Sequence, residues 1–86
     1  MPEVSRFYGL VIALFYNDHQ PPHFHAVYGE SEAVFAIETL AVLEGRLPHR
    51  AAVLVLEWAA EHRRELREDW DKARAKLPLA PIEPLI

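Results

Sequence analysis

No cysteine occurs in this sequence, so disulfides are excluded, and so is any zinc site built on thiolates. Serine is nearly absent as well: Ser5 and Ser31 are the only two, and neither sits in a pattern that suggests an activated nucleophile. A basic excess is also missing. The formal net charge is −4, which argues against nonspecific nucleic-acid binding. Long hydrophobic runs are lacking. The longest, Gly9 to Tyr16, is far too short to cross a bilayer, and no signal peptide is recognisable. A cytoplasmic location and no membrane contact are therefore the expectation.

What remains is a chain of 86 residues, the size of one small domain spanning 1–86. A domain this short buries only about 60% of the surface exposed by its unfolded chain. Its core needs help from tight packing, a metal held by histidines and carboxylates, or a partner chain. The hydrophobic content of 51% is high enough to supply an interface as well as a core. Charge is unevenly spread. Residues 1–45 carry six acids against the single base Arg6, whereas residues 46–86 carry eight bases against seven acids.

FYGLVIALFY, residues 7–16, reads as one strand, rich in aromatic and β-branched side chains. It is apolar on both faces, which predicts a central strand covered from both sides. HFHAVY at 23–28 is a second strand, with His23 and His25 on one face and Phe24 and Ala26 on the other. Gly29-Glu30-Ser31-Glu32 is read as a turn. Strands at about 33–38 and 41–44 follow, and the short connections favour an antiparallel meander. Pro48 then opens a helix expected to run to about Leu77. Ala51, Val55, Trp58, His62, Leu66, Trp70, Ala73 and Leu77 form its apolar stripe. Residues 78–86 form an extended tail with prolines at 78, 81 and 84, expected to dock on its own domain or on a partner. The predicted fold is thus α+β: a three- or four-stranded antiparallel sheet, one long C-terminal helix and a proline-rich tail. The aromatics Tyr8, Tyr16, Phe24, Tyr28, Trp58 and Trp70 read as core in preference to a base-stacking platform.

The chemistry concentrates in HQPPHFHA, residues 19–26, with Asp18 just ahead. His23 and His25 lie two apart on one strand face, roughly 6.6 Å between Cα atoms, a spacing from which two imidazoles can converge on an ion. His19 or Asp18 is available as a third ligand, and Pro21-Pro22 stiffens the turn between them. His62 interrupts the helix stripe and is a fourth candidate. Nitrogen and oxygen ligands without sulfur suit Zn, Ni or Fe. A metal-free site would use His23 or His25 as general acid or base, oriented by Asp18 or Glu57, with Arg46, Arg50, Arg63 and Arg67 to hold phosphates. The bland alternative is a turn whose imidazoles only satisfy carboxylates and backbone carbonyls.

SRFYG at 5–9, YNDHQPPHFHAVYGE at 16–30, LEGRLPHRA at 43–51, LEWAAEHRREL at 56–66 and IEPL at 82–85 together carry a resemblance. They are similar to the family catalogued as domain of unknown function 4160, small prokaryotic proteins. The resemblance implies membership of a two-gene, toxin–antitoxin-type module. On that basis two functions are expected: a toxin-like nuclease or hydrolase effector centred on the histidines, or a non-enzymatic module acting through a homodimer or a complex with a small protein encoded nearby. RNA is a candidate ligand of the first. This chain departs from its relatives in carrying Ala13 where a basic residue is usual, and Leu40-Ala41 where a Gly-Glu turn is usual. The second change predicts that the strands at 33–38 and 41–44 run together.

Overall fold

Residues 2–86 are described by a computed structural model. Five strands precede two helices: β1 Glu3–Phe7, β2 Leu10–Ala13, β3 His23–Tyr28, β4 Ser31–Ala36, β5 Val42–Arg46, α1 His49–Glu61 and α2 Arg63–Arg74. The strands form one antiparallel sheet in the order β1-β2-β3-β4-β5. The fold is α+β, with more strands than the sequence suggests and a helix divided in two.

The extra strand comes from the apolar run at 7–16. Tyr8 and Gly9 both take positive φ, +48° and +81°, and form a two-residue turn in which Phe7 pairs with Leu10. Two consecutive positive φ values are the hairpin turn that matches strand twist. The run therefore folds back on itself, and from Leu14 onward it leaves the sheet. A second two-residue turn, Gly29-Glu30, joins β3 to β4, so Ser31 and Glu32 belong to a strand. The third turn survives without its usual glycine. Leu40 adopts φ +64°, donates to the Ala36 carbonyl at 2.8 Å and keeps β4 and β5 separate.

The helix divides at His62, whose φ of −123° lies outside the helical range. The break leaves Trp58 of α1 against Phe7 and Phe24, and Trp70 of α2 against His23. Leu10, Ile12, Leu14, Phe24, Phe35 and Ile37 are fully buried with Val55, Trp58 and Leu66. Leu77, last of the expected stripe, lies beyond the helix and is half exposed.

The tail lies along the same core. Ile82 is buried, its N–H donates to the Val4 carbonyl at 2.8 Å, and Trp58 Nε1 donates to the Glu83 carbonyl at 2.8 Å. Phe24, Trp58 and Trp70 are core residues, whereas Tyr8, Tyr16 and Tyr28 reach the surface.

Candidate metal centre

The site sits on the sheet face that bears His25, away from the face on which Phe24 meets Trp58 of α1, and under the loop that joins β2 to β3. The row Ala13, His25, Val34 crosses three strands on this face. The loop is pinned at both ends: Leu14 N–H donates to the Pro2 carbonyl at 3.1 Å, and Ile37 N–H to the Pro22 carbonyl at 3.0 Å. Between these anchors the chain carries Asp18 over the face from which His23 and His25 project. Phe15 meets the His25 ring edge-on at 4.5 Å, and Trp70 lies 5.1 Å from the His23 ring. The imidazoles are therefore walled by aromatics. His23 is 3% exposed, His25 15% and Asp18 19%.

Both histidines address one oxygen. Asp18 Oδ2 is 2.9 Å from His23 Nε2 and 2.9 Å from His25 Nε2. Their other nitrogens are also engaged. His23 Nδ1 donates to the Pro21 carbonyl at 2.6 Å, and His25 Nδ1 to Glu32 Oε2 at 3.1 Å. Burial pulls the Asp18 carboxyl up, but the His25 hydrogen bond and the charges of His23 and His25 outweigh it, and the carboxyl lies below its ordinary value.

Counting protons shows what the arrangement can accept. Carboxylates and carbonyls only accept, so each of the four nitrogen contacts needs its own proton. Two neutral imidazoles supply two. In the tautomer whose Nδ1 protons go to Pro21 and Glu32, both Nε2 lone pairs face the Asp18 carboxylate. Two positive charges are needed there, as two further protons or as one divalent cation. Asp18, His23 and His25 offer ligand atoms that all lie within 4.8 Å of one another. The carbonyl and carboxylate behind the two rings are the partners that orient metal-bound histidines.

A cleft of about 360 Å³ opens beside the three groups. His19, Pro21, Val34, Leu43 and Glu44 complete its walls. His19 stands at this rim, its ring 5.4 Å from His23, and its Nδ1 donates to the Gln20 carbonyl. His19 is not one of the converging three. His62 is elsewhere: it contacts Trp58, bonds Glu65 and lines a separate cavity with Glu57. Glu57 therefore does not orient His23 or His25. Of the expected phosphate-holding arginines, Arg63 donates to the Ile37 carbonyl, Arg67 pairs with Glu38, and Arg46 sits opposite Glu32 in the sheet register. None of the four, Arg50 included, lines this cleft.

Sequence reasoning missed Glu32 and the Pro21 carbonyl. Reading Gly29-Glu30 as a two-residue turn would have put Glu32 opposite Val27, one step diagonal from His25 on the same face.

A family profile described as domain of unknown function (DUF4160) matches residues 9–71, well over half of the chain. The chain belongs to this family. The matched segment contains the whole converging group, Asp18, His23 and His25, as well as Glu32 behind it. No curated protein and no solved structure matches the chain.

Proposed function

We propose that Asp18, His23 and His25 hold a divalent transition-metal ion and that this ion is the centre of a hydrolytic activity. One observation carries the reading: two Nε2 atoms converge on one carboxylate oxygen while both Nδ1 atoms are held by acceptors. The spacing supports it. Tetrahedral bonds of 2.0–2.1 Å separate ligand atoms by about 3.3 Å, so each Nε2, now 2.9 Å from Asp18 Oδ2, needs to move by only a few tenths of an ångström to share an ion with it. Two histidines and one carboxylate leave coordination positions open, and the cleft gives a ligand access to them. An ion with a free position lowers the pKa of a bound water and makes it a nucleophile at neutral pH. Zn, Ni and Fe all suit this ligand set. The toxin-like effector of a two-gene module is the biological form of this reading, because such an effector needs a reaction centre.

Calorimetric titration of metal-free protein with Zn²⁺, Ni²⁺ or, without oxygen, Fe²⁺ tests it. One ion is expected per chain. His23→Ala/His25→Ala should abolish binding while circular dichroism retains the fold. Wild-type protein that takes up none of the three metals at millimolar concentration would sink the proposal.

A second reading, an interaction module, is favoured by β5. This edge strand is exposed throughout, with Val42 53% and Leu43 44% exposed. An exposed edge is a template for pairing with another strand. A second copy aligned antiparallel about Gly45 would set Glu44 against Arg46 of its mate. Sedimentation should then show a dimer that Val42→Lys dissociates, and a monodisperse monomer would exclude it.

A further inference from the structure

We infer that a second cleft, adjoining the proposed metal centre, is a phosphate-binding site formed by Arg74 and Lys76. The ligand of this protein then carries a phosphoryl group. The inference rests on the metal-centre reading for the neighbouring ion, but not for the grip on the anion itself.

The cleft measures about 450 Å³ and shares Asp18 and His19 with the first, so the 18–19 turn is the wall between them. Its far side is the end of α2. Arg74 and Lys76 face it there, and neither pairs with a carboxylate among the described residues. Arg6, Arg67 and Arg63 are engaged with Glu3, Glu38 and a backbone carbonyl, and of all the arginines and lysines only Arg74 and Lys76 line this cleft. Asn17 and Gln20 add amide donors, and Tyr16 adds a hydroxyl.

The Arg74 side chain and the Lys76 backbone are held in position. The Arg74 guanidinium lies 6.0 Å from the centre of the Trp70 ring, which packs in turn against His23. Lys76 occupies the residue just past the helix, at φ +60°. There its N–H bonds the Ala73 carbonyl, and the next N–H, from Leu77, bonds the Lys72 carbonyl at 2.8 Å. This closure of a helix end takes glycine by preference, because a Cβ is strained at that φ. The lysine there carries backbone strain and lines the cleft, and strain of this kind gathers at functional positions. The pair also discriminates between anions. An arginine fork alone satisfies the two oxygens of a carboxylate, whereas a fork together with a point charge and neutral donors matches the larger oxygen set of a phosphate.

The test is calorimetric titration of inorganic phosphate into the full chain, metal-free and loaded with Ni²⁺, for wild type, Arg74→Ala, Lys76→Gly and the double variant. Each single variant should weaken phosphate binding by about ten- to a hundredfold, the effect of losing one charge-assisted hydrogen bond. Lys76→Gly should at the same time melt higher than wild type, since glycine relieves the strain, so its lost affinity cannot come from misfolding. Ni²⁺ affinity should not change in any variant. Wild-type protein that binds no phosphate, or a double variant that binds it as wild type does, overturns the inference. So does a loss of Ni²⁺ affinity that tracks the loss of phosphate, because the residues would then act through the structure of the site. If wild type binds phosphate but not Ni²⁺, the metal-centre reading fails and the phosphate site stands. A ribodinucleoside monophosphate titrated in parallel identifies the source. Tighter binding than inorganic phosphate assigns the group to an RNA diester, and weaker binding to a free or terminal phosphate.

Discussion

Gly45 shows how much a single residue can govern at a distance. Its φ is +68°, and a Cβ at this position would lie 2.2 Å from the Glu32 backbone oxygen. Gly45→Ala therefore combines left-handed strain with overpacking, and should destabilise the fold by about 2–4 kcal/mol in urea denaturation. Glu32 orients His25 through Nδ1, so the same variant should also weaken metal uptake under conditions where the protein stays folded. At this scale the sequence was partly legible. Strand alternation put His23 and His25 on one face, and Asp18 was named from its place beside the prolines. Glu32 was hidden because four consecutive small or polar residues read as a turn, when two sufficed. His62 misled for a different reason. Its place on an apolar stripe is genuine, but the break in the helix and its bond to Glu65 hold it in another cavity.

Among the elements, the tail and α2 are joined by an unusual group. Asp69 is buried, its Oδ1 accepts the Ala80 N–H at 2.9 Å, and its Oδ2 has no hydrogen-bond partner among the described residues. Burial pushes its carboxyl above the ordinary range, beyond what the Ala80 bond and Lys72 draw back. The folded state thus holds this proton more tightly than the unfolded chain does. The resulting stability is fully present below the unfolded value of about 3.9, and it declines as the pH rises through the raised folded value. Urea denaturation at stepped pH should show this decline in wild type, and its contribution should vanish in Asp69→Asn. The elements themselves were legible where period and punctuation agreed, as in the second strand at 23–28. They were obscured where strong hydrophobicity covered a reversal. Nothing in FYGLVIALFY breaks the apolar run except one glycine, and the turn there also asks Tyr8 to take a positive φ. The helix break at His62 carries no glycine or proline. The spacing of the apolar stripe runs through it without interruption, so no local pattern reveals it.

For the molecule as a whole, the proposed ion would matter to stability as well as chemistry. An ion that binds only the folded state at a hundred times its Kd adds about 2.7 kcal/mol. A domain of this size should then melt about 10–20 °C higher in saturating Zn²⁺ or Ni²⁺, and the shift should be absent in His23→Ala/His25→Ala. Calorimetric scanning reads both. Such support would suit a chain with no disulfide and a small core.

The order β1-β2-β3-β4-β5 has a further consequence. Each strand finds its partner in the segment next along the chain, so little loop-closure entropy stands in the way of assembly. Low contact order of this kind favours rapid folding, hairpin upon hairpin. The packing of the helices and tail on the sheet is the exception, and within it the bond between Ile82 and Val4 ties the most remote parts of the sequence. Its closure has the greatest entropy to overcome, which makes it the natural last step on the route to the native state.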